Sequence, residues 1–417
     1  MQAVILVAGQ SRRFYPYTSY GHKSMVPLMG KPLLQHTLES LKEAKIANVV
    51  IVVGKDSMIP ERLEKISGLH VTFVEQNESL GMGNALLQAE SVLEESFFLL
   101  SGYHLEVADF TKDLLKKQKN KDDVVLLAKE DSILERYGVL KVEGDTVLSL
   151  TERPTVTEGA QLRVVSIYLL NKTFLHTLKG IPTEQYHFEK ALDTYAKNNS
   201  VRFVKTDSLT ITLKHSWDLL TVKEYLLSKM KRSISSKASV AKSAIIEGNV
   251  FIADNVKILE GACIKGPCFL GQGVVVGNNA ILRNGVVAEE QAVIGANLEV
   301  KNTILMQHAT THNGFIGDSV VGQYTRLAGG FYSANVRFDR GDIVAKVRDE
   351  SINTHKKHIG VMVGEYVDTG VGVTTMPGVS IGNHVTIGPS TMISENVEDN
   401  TLIYAKFQTV VKKKSIR

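Results

Sequence analysis

The chain has 417 residues, 43% of them hydrophobic and 22% charged, a composition that calls for two or three globular domains and offers no stretch suited to spanning a bilayer. Its 48 basic and 44 acidic residues nearly cancel, which excludes the broad positive field of a nucleic-acid-binding protein. Two cysteines, Cys263 and Cys268, are too few for a disulfide framework, lack partners at metal-ligand spacing, and read as reduced core thiols.

The apolar start at residues 3–8 is followed, not preceded, by Arg12 and Arg13. That order is wrong for a secretory signal, so the expectation is a cytoplasmic protein. Apolar runs at 3–7, 49–53, 71–74, 97–100 and 124–128 alternate with segments of helical spacing such as Leu33, Leu34, Thr37, Leu38 and Leu41. Strands alternating with helices predict an α/β, Rossmann-like domain with a mainly parallel sheet. Ligands of such sheets sit at the carboxyl ends of the strands, which singles out the loops after residues 7, 53 and 100. Residues 218–232 predict an amphipathic helix and the polar stretch after it a junction, giving domains 1–234 and 235–417.

From about residue 240 the texture changes. Val240, Ile246, Ile252, Ile258, Ile264, Leu270, Val276 and Leu282 recur every six residues, and Ala244, Val250, Val256, Ala262, Cys268, Val274, Ala280 and Val286 follow each by four. The period resumes with Val363, Thr369, Thr375, Ile381, Ile387 and Ile393. No helix uses a period of six, whereas a solenoid of three short strands per turn does, and the prediction is a left-handed parallel β-helix of hexapeptide repeats. Residues 337–360, rich in charge, break the period and predict a loop thrown out of one coil. The basic run Lys412, Lys413 and Lys414 reads as a solvated tail.

The segment ILVAGQSRRFYPYTSYGHKSMVPLMGKPLL at 5–34 resembles the opening signature of the sugar-phosphate nucleotidylyltransferases, and the whole chain resembles their bifunctional archaeal form, which joins that activity to amino-sugar-1-phosphate N-acetyltransfer. The resemblance implies a phosphate-binding turn at Gly9, phosphate-binding cations at Arg13 and Lys23, and a Gly30, Lys31, Pro32 run. In EQNESLGMGNAL at 75–86 it implies a base-reading Gln76 and a close approach at Gly81; Tyr137, Gly138, Glu152 and Pro154 match further elements. A solvated basic rim and ordinary turn glycines are the plainer readings of the same residues.

The family holds a divalent cation with two aspartates, because nucleotidylyl transfer needs hard oxygen ligands near the α-phosphate. Here Tyr103 and Thr212 stand at those positions, Ser11 replaces a phosphate-loop glycine, and Val164 and Ser166 replace an asparagine and a glycine. The expectation is therefore no magnesium and no ordinary nucleotidylyl transfer, although His104, Glu106 and Asp109 lie close by in sequence.

In the solenoid, NLEVKNTILMQHATTHNGFIGDSVV at 297–321 resembles the acetyltransferase core, with Glu299, Lys301 and His312 in the family's places, Arg283 one coil earlier and Asn335 in the following loop. The resemblance implies acetyl-CoA as co-substrate. Histidine, with a pKa near neutrality, suits deprotonation of an attacking amine, and Arg283 and Lys301 suit a phosphate dianion. An expected tyrosine is Phe315 and an expected asparagine Arg326. Three readings follow. The first is an acetyltransferase of nucleotide-sugar biosynthesis acting on a sugar phosphate or nucleotide sugar. The second is a non-catalytic sensing or scaffold subunit of an active homologue, and the third is residual nucleotidylyl transfer. The resemblance also implies a homotrimer or a multiple of three, and the balanced charge and lack of a spanning stretch leave the expectation of neither nucleic acid nor membrane as partner.

Overall fold

The computed structural model describes residues 1–135, 137–154, 161–184, 186–348 and 350–413, so Lys414 and Arg136 lie outside the described residues. It divides into two compact units. The first comprises Met1–Arg12, Thr18–Pro27 and Lys31–Leu213; the second comprises Arg13–Tyr17, Leu28–Gly30 and the chain from Lys214 onward.

The first unit is built on a nine-stranded sheet. Its strands are β1 (Gln2–Val7), β2 (Asn48–Gly54), β3 (His70–Gln76), β4 (Ser96–Ser101), β5 (Val124–Asp131), β6 (Gly138–Glu143), β7 (Thr146–Glu152), β8 (Gln161–Asn171) and β9 (Val201–Lys205). The order is β3-β2-β1-β4-β8-β5-β9-β7-β6. The first four strands are parallel, as apolar runs buried on both faces require. Their side chains divide by the period of two: Val4, Val50, Val52 and Leu99 enter one core, Ala3, Ile5, Val49, Ile51 and Leu100 the other. Beyond β4 the sheet becomes mixed, because β8 runs antiparallel to both β4 and β5. Helix α1 (Leu33–Glu43) buries Leu33, Leu34, Thr37, Leu38 and Leu41, the spacing seen in the sequence.

The second unit is a left-handed parallel β-helix whose walls are three sheets of eight, nine and eight parallel strands among the described residues. Ile246 pairs with Ile264 and Ile264 with Leu282, a step of three hexapeptides per coil. Inward residues of both sublattices, from Val250 and Ile252 to Ile393 and Val397, form one buried core. Cys268 lies in that core, and burial pushes its thiol up to about 12. Cys263 is only half-buried, on the outer side of its strand, which corrects the reading of both cysteines as core residues.

Corners of the coils use left-handed backbone at residues other than glycine, including His308, Tyr324, Tyr366 and His384. Such a conformation costs about 1 kcal/mol for an ordinary side chain. Here the four rings stack in a continuous ladder, with centroids 4.6, 5.1 and 5.0 Å apart, and ring contact offsets that cost. The charged stretch leaves the coil after Asn335, whose carbonyl accepts the N–H of Ile359 on return. The excursion carries an antiparallel hairpin, Val344–Val347 with Glu350–Asn353.

The helix predicted at 218–232 spans Leu219–Lys229. Its Lys223 is fully buried, donating to the Gly285 carbonyl at 2.6 Å and to Asn302 Oδ1. Among the described residues no helix is long and apolar enough to cross a membrane.

Two outcomes are expected. Ile258 is inward and Lys257 beside it exposed, so Ile258→Ala should lower unfolding free energy by about 2–5 kcal/mol and Lys257→Ala by less than about 0.5; equal losses in urea unfolding would contradict the inward assignment. Burial pushes the Lys223 amine from 10.5 down to about 7. Between those values the unfolded chain binds more protons, so this lysine makes stability rise with pH through the window, a contribution lost as pH falls to about 7. Lys223→Met should flatten that rise in urea midpoints measured across the window.

Candidate functional sites

At the carboxyl ends of β1, β2 and β3 opens a cleft of about 710 Å³, lined by Gly9, Gln10, Gly21, His22, Lys55 and Gln76 among others. The strand order changes direction at β1, with β2 on one side and β4 on the other, so the loops leaving these carboxyl ends diverge, which opens the crevice. Gly9 is exposed and an added Cβ there would meet nothing within 4 Å. Gln76 is buried at the end of β3, its amide nitrogen held by the Gly81 carbonyl at 3.3 Å and Asn84 Oδ1 at 2.8 Å. The amide oxygen is the acceptor it has to offer. Gly81 has φ 92° and precedes the helix Met82–Gln88.

Gly138 and Glu152 stand elsewhere, paired across β6 and β7 at the sheet's far edge. A Cβ on Gly138 would lie 2.9 Å from Glu152 Oε2, so this glycine makes room for the carboxylate. Lys31 is engaged with Glu39 at 2.6 Å. Arg13 is exposed and belongs to the second unit.

Lys23 lies in a short 3-10 turn beside this cleft's His22. Its Nζ donates to the Leu213 carbonyl at 2.5 Å and stands 4.5 Å from the centroid of the Tyr103 ring. Its backbone N–H donates to Ser11 Oγ at 3.0 Å, and Ser11 itself adopts φ 50°. His22 is buried, and desolvation first and the Lys23 charge second hold its imidazole near 3, well below the usual range. His104 Nδ1 meets Glu106 Oε1 at 3.0 Å, and the same oxygen accepts the Ile211 N–H at 2.8 Å.

This donor set does not fit a divalent cation. A phenol ring and a threonine replace the carboxylates, an ammonium occupies the neighbourhood, and among the described residues no group of three or more His, Cys, Asp or Glu is placed to hold a metal.

On the solenoid the strands put Arg283 in register with Lys301, Lys301 with Gly317, and Glu299 with Phe315. Arg283 is paired with Glu299 through Nε at 2.7 Å and through a second nitrogen at 2.6 Å. Lys301 Nζ donates to Asp318 Oδ2 at 3.0 Å, Asn335 Nδ2 to the same oxygen at 2.5 Å, and Asn302 Nδ2 to Oδ1 at 2.6 Å. Asp318 is thus a buried hub that joins Lys301, the root of the excursion and, through Asn302, the buried Lys223. The sequence analysis missed it, since an aspartate at a left-handed corner looks like an ordinary turn residue.

The Phe315 ring lies so close to Gly317 that a Cβ there would approach it to 2.6 Å. His312 is exposed, two residues before the strand Gly314–Gly317, with its backbone N–H on the Leu327 carbonyl. It stands beyond the opposite end of that strand from Gly317, about 16 Å away along the extended chain. The structure therefore pairs Arg283 with Glu299, gathers Lys301 and Asn335 on Asp318, and sets His312 at the other edge of the same face.

Residues 2–225 match the nucleotidyl transferase family. The chain is 34% identical to the bifunctional protein GlmU of Methanococcus maripaludis strain C7, over 99% of this chain and all of that protein. It is 28% identical to the bifunctional protein GlmU of Methanococcus vannielii over the full length of both. With the bifunctional sugar-1-phosphate nucleotidylyltransferase/acetyltransferase of Sulfurisphaera tokodaii it shares 26% identity, over 95% of this chain and 98% of that one. From the first strand through the last coil it is thus one continuous relative of these proteins, and the chain belongs to the nucleotidyl transferase family in its GlmU-like archaeal, bifunctional form.

Proposed function

We propose that the protein transfers an acetyl group from acetyl-CoA to the amine of an amino-sugar phosphate on its solenoid, while the α/β cleft binds a nucleotide or nucleotide sugar without performing nucleotidylyl transfer. The observation that carries this reading is the exposed His312 ring at the edge of the face bearing Arg283, Glu299, Lys301 and Asn335. A neutral imidazole accepts a proton from the amine as its nitrogen bonds to the thioester carbonyl carbon; the C–S bond then breaks and CoA leaves as a thiolate that takes up a proton. Arg283 and Lys301 keep N–H donors beyond those used on Glu299 and Asp318, so a sugar phosphate can share them while the carboxylates hold them in place. A trimer, or a multiple of one, is the assembly proposed for this solenoid.

Nucleotidylyl transfer is disfavoured by the donor set around Lys23. A second reading, a sensing subunit acting on an active homologue, is favoured by one feature: both cations of the solenoid face already have carboxylate partners.

Thiol release from acetyl-CoA with glucosamine-1-phosphate and galactosamine-1-phosphate separates the two. Acetyl transfer predicts turnover that His312→Ala lowers by about 10²–10⁴-fold. Absence of turnover in the wild type with both acceptors would overturn the acetyl-transfer reading and favour the sensing or scaffold reading.

A further inference from the structure

Lys223 belongs to helix Leu219–Lys229, which precedes the first coil in the chain, yet it is fully buried against the solenoid. An apolar side chain would hold the helix with less desolvation, so stability alone does not call for an amine here. Its partners lie on one corner of the coils. Arg283, Lys301 and Gly317 are in register, and the residue after each, Asn284, Asn302 and Asp318, turns that corner at φ 57°, 48° and 50°. The backbone links the corner coil by coil. The Asn302 N–H donates to the Arg283 carbonyl at 3.1 Å and the Asp318 N–H to the Lys301 carbonyl at 2.9 Å. Above them Gly360, where the excursion rejoins the coil, donates to the Asp318 carbonyl at 2.8 Å.

The side chains on this corner run in one direction. Lys223 Nζ donates to the Gly285 carbonyl at 2.6 Å and to Asn302 Oδ1, and the Asp318 carboxylate only accepts. Asn302 thus stands between a donor and an acceptor, and one orientation of its amide serves both. Oδ1 faces the lysine, and Nδ2 donates to Asp318 Oδ1 at 2.6 Å. That leaves Asp318 Oδ2 to Lys301 at 3.0 Å and to Asn335 at 2.5 Å. Burial brings the Lys223 amine down to about 7, but a neutral amine retains two N–H bonds, enough for both acceptors, so the direction holds in either form. A second tie joins the helix to the excursion, Lys356 Nζ with Thr221 Oγ1 at 3.4 Å.

We propose that Lys223 is a positioning residue of the solenoid site: through Asn302 it fixes Asp318, and through Asp318 it fixes the Lys301 ammonium and the Asn335 root of the excursion. This rests on the reading that the solenoid face takes an amino-sugar phosphate. The site then includes a helix that contributes nothing to the coils themselves, and Lys223 acts on the substrate through three intervening side-chain contacts.

The test uses the full chain with glucosamine-1-phosphate and galactosamine-1-phosphate, by titration calorimetry with the sugar phosphate alone and by thiol release from acetyl-CoA. Lys223→Met cuts the relay at its foot. Asn302→Gly cuts it in the middle without changing charge, and a left-handed backbone suits glycine. Each is expected to weaken sugar-phosphate binding and to raise its KM by about tenfold, with kcat and the KM for acetyl-CoA changed by less than about twofold. In the Asn302→Gly background Lys223→Met should cost less than about twofold more, because the path is already cut; a direct effect of the lost charge would persist there. Ile258→Ala, in the regular core, is the control for lost stability and should keep both KM values, and thermal melting checks that each variant is folded.

Sugar-phosphate binding unchanged in either single variant, effects that add in the double variant, or an equal KM rise in Ile258→Ala would overturn the proposal. Wild type that binds a sugar phosphate but releases no thiol would remove the acetyl-transfer reading, while calorimetry on the variants still decides this inference. Wild type that binds neither sugar phosphate would overturn both.

Discussion

A charge taken out of water must find compensation inside the protein, and this constraint arranges the chemistry of both units. Lys23 is met by a carbonyl and an aromatic face, Lys223 by a carbonyl and an amide oxygen, and Lys301 by Asp318. Within the second unit the fully buried Glu289 accepts the N–H groups of Met29 and Gly30, and burial nonetheless raises its carboxyl to about 7. The opposite shifts of Glu289 and Lys223 share one cause, the penalty on whichever form is charged. A surface ion pair such as Lys237 with Asp254 is subject to no such compulsion and contributes little.

The solenoid has a second constraint, its repeat, and the candidate site lies where that repeat fails. Register steps of three hexapeptides hold from Ile246 to Val300, but Val300 pairs with Ile316, a shorter coil, and Val321 pairs with Val363 beyond the excursion. A regular coil presents one aliphatic residue inward per wall and leaves no polar group that must be satisfied. Shortening one coil and opening the next exposes backbone and side-chain donors at the corner, and Asp318, lying between the two irregularities, collects them from Lys301, Asn302 and Asn335. In this account the interruption supplies the polar groups and the flanking regular coils fix their positions.

Legibility in the sequence followed the same division. Period six at Ile252, Ile258 and Ile264 declared the solenoid because burial there depends on nothing but position in the repeat. The runs at 3–7 and 49–53 declared parallel strands for a like reason. The reversal of β8 and the mixed half of the sheet were not legible, since antiparallel pairing with both β4 and β5 is settled by partners distant in the chain. Among site residues, the strand register aligned Arg283 with Lys301. Asp318 escaped notice, as did the pairing of Glu299 with Arg283: Glu299 lies 16 residues from Arg283 and Asp318 lies 17 from Lys301, one coil away. That separation becomes a contact only once coils stack.

The same limit governs how a departure from a family pattern is interpreted. Seen along the chain, Ser11, Tyr103 and Thr212 are three unrelated losses, which is how an unselected site would look. In three dimensions the first, the second and the neighbour of the third grip the same lysine through its backbone and its ammonium. A serine forced into a left-handed conformation, where the family's glycine is strain-free, carries a cost that its bond to Lys23 offsets. Contacts of this kind are set by the fold and not by position along the chain, which is why the partners of Lys23 could not be read from the sequence.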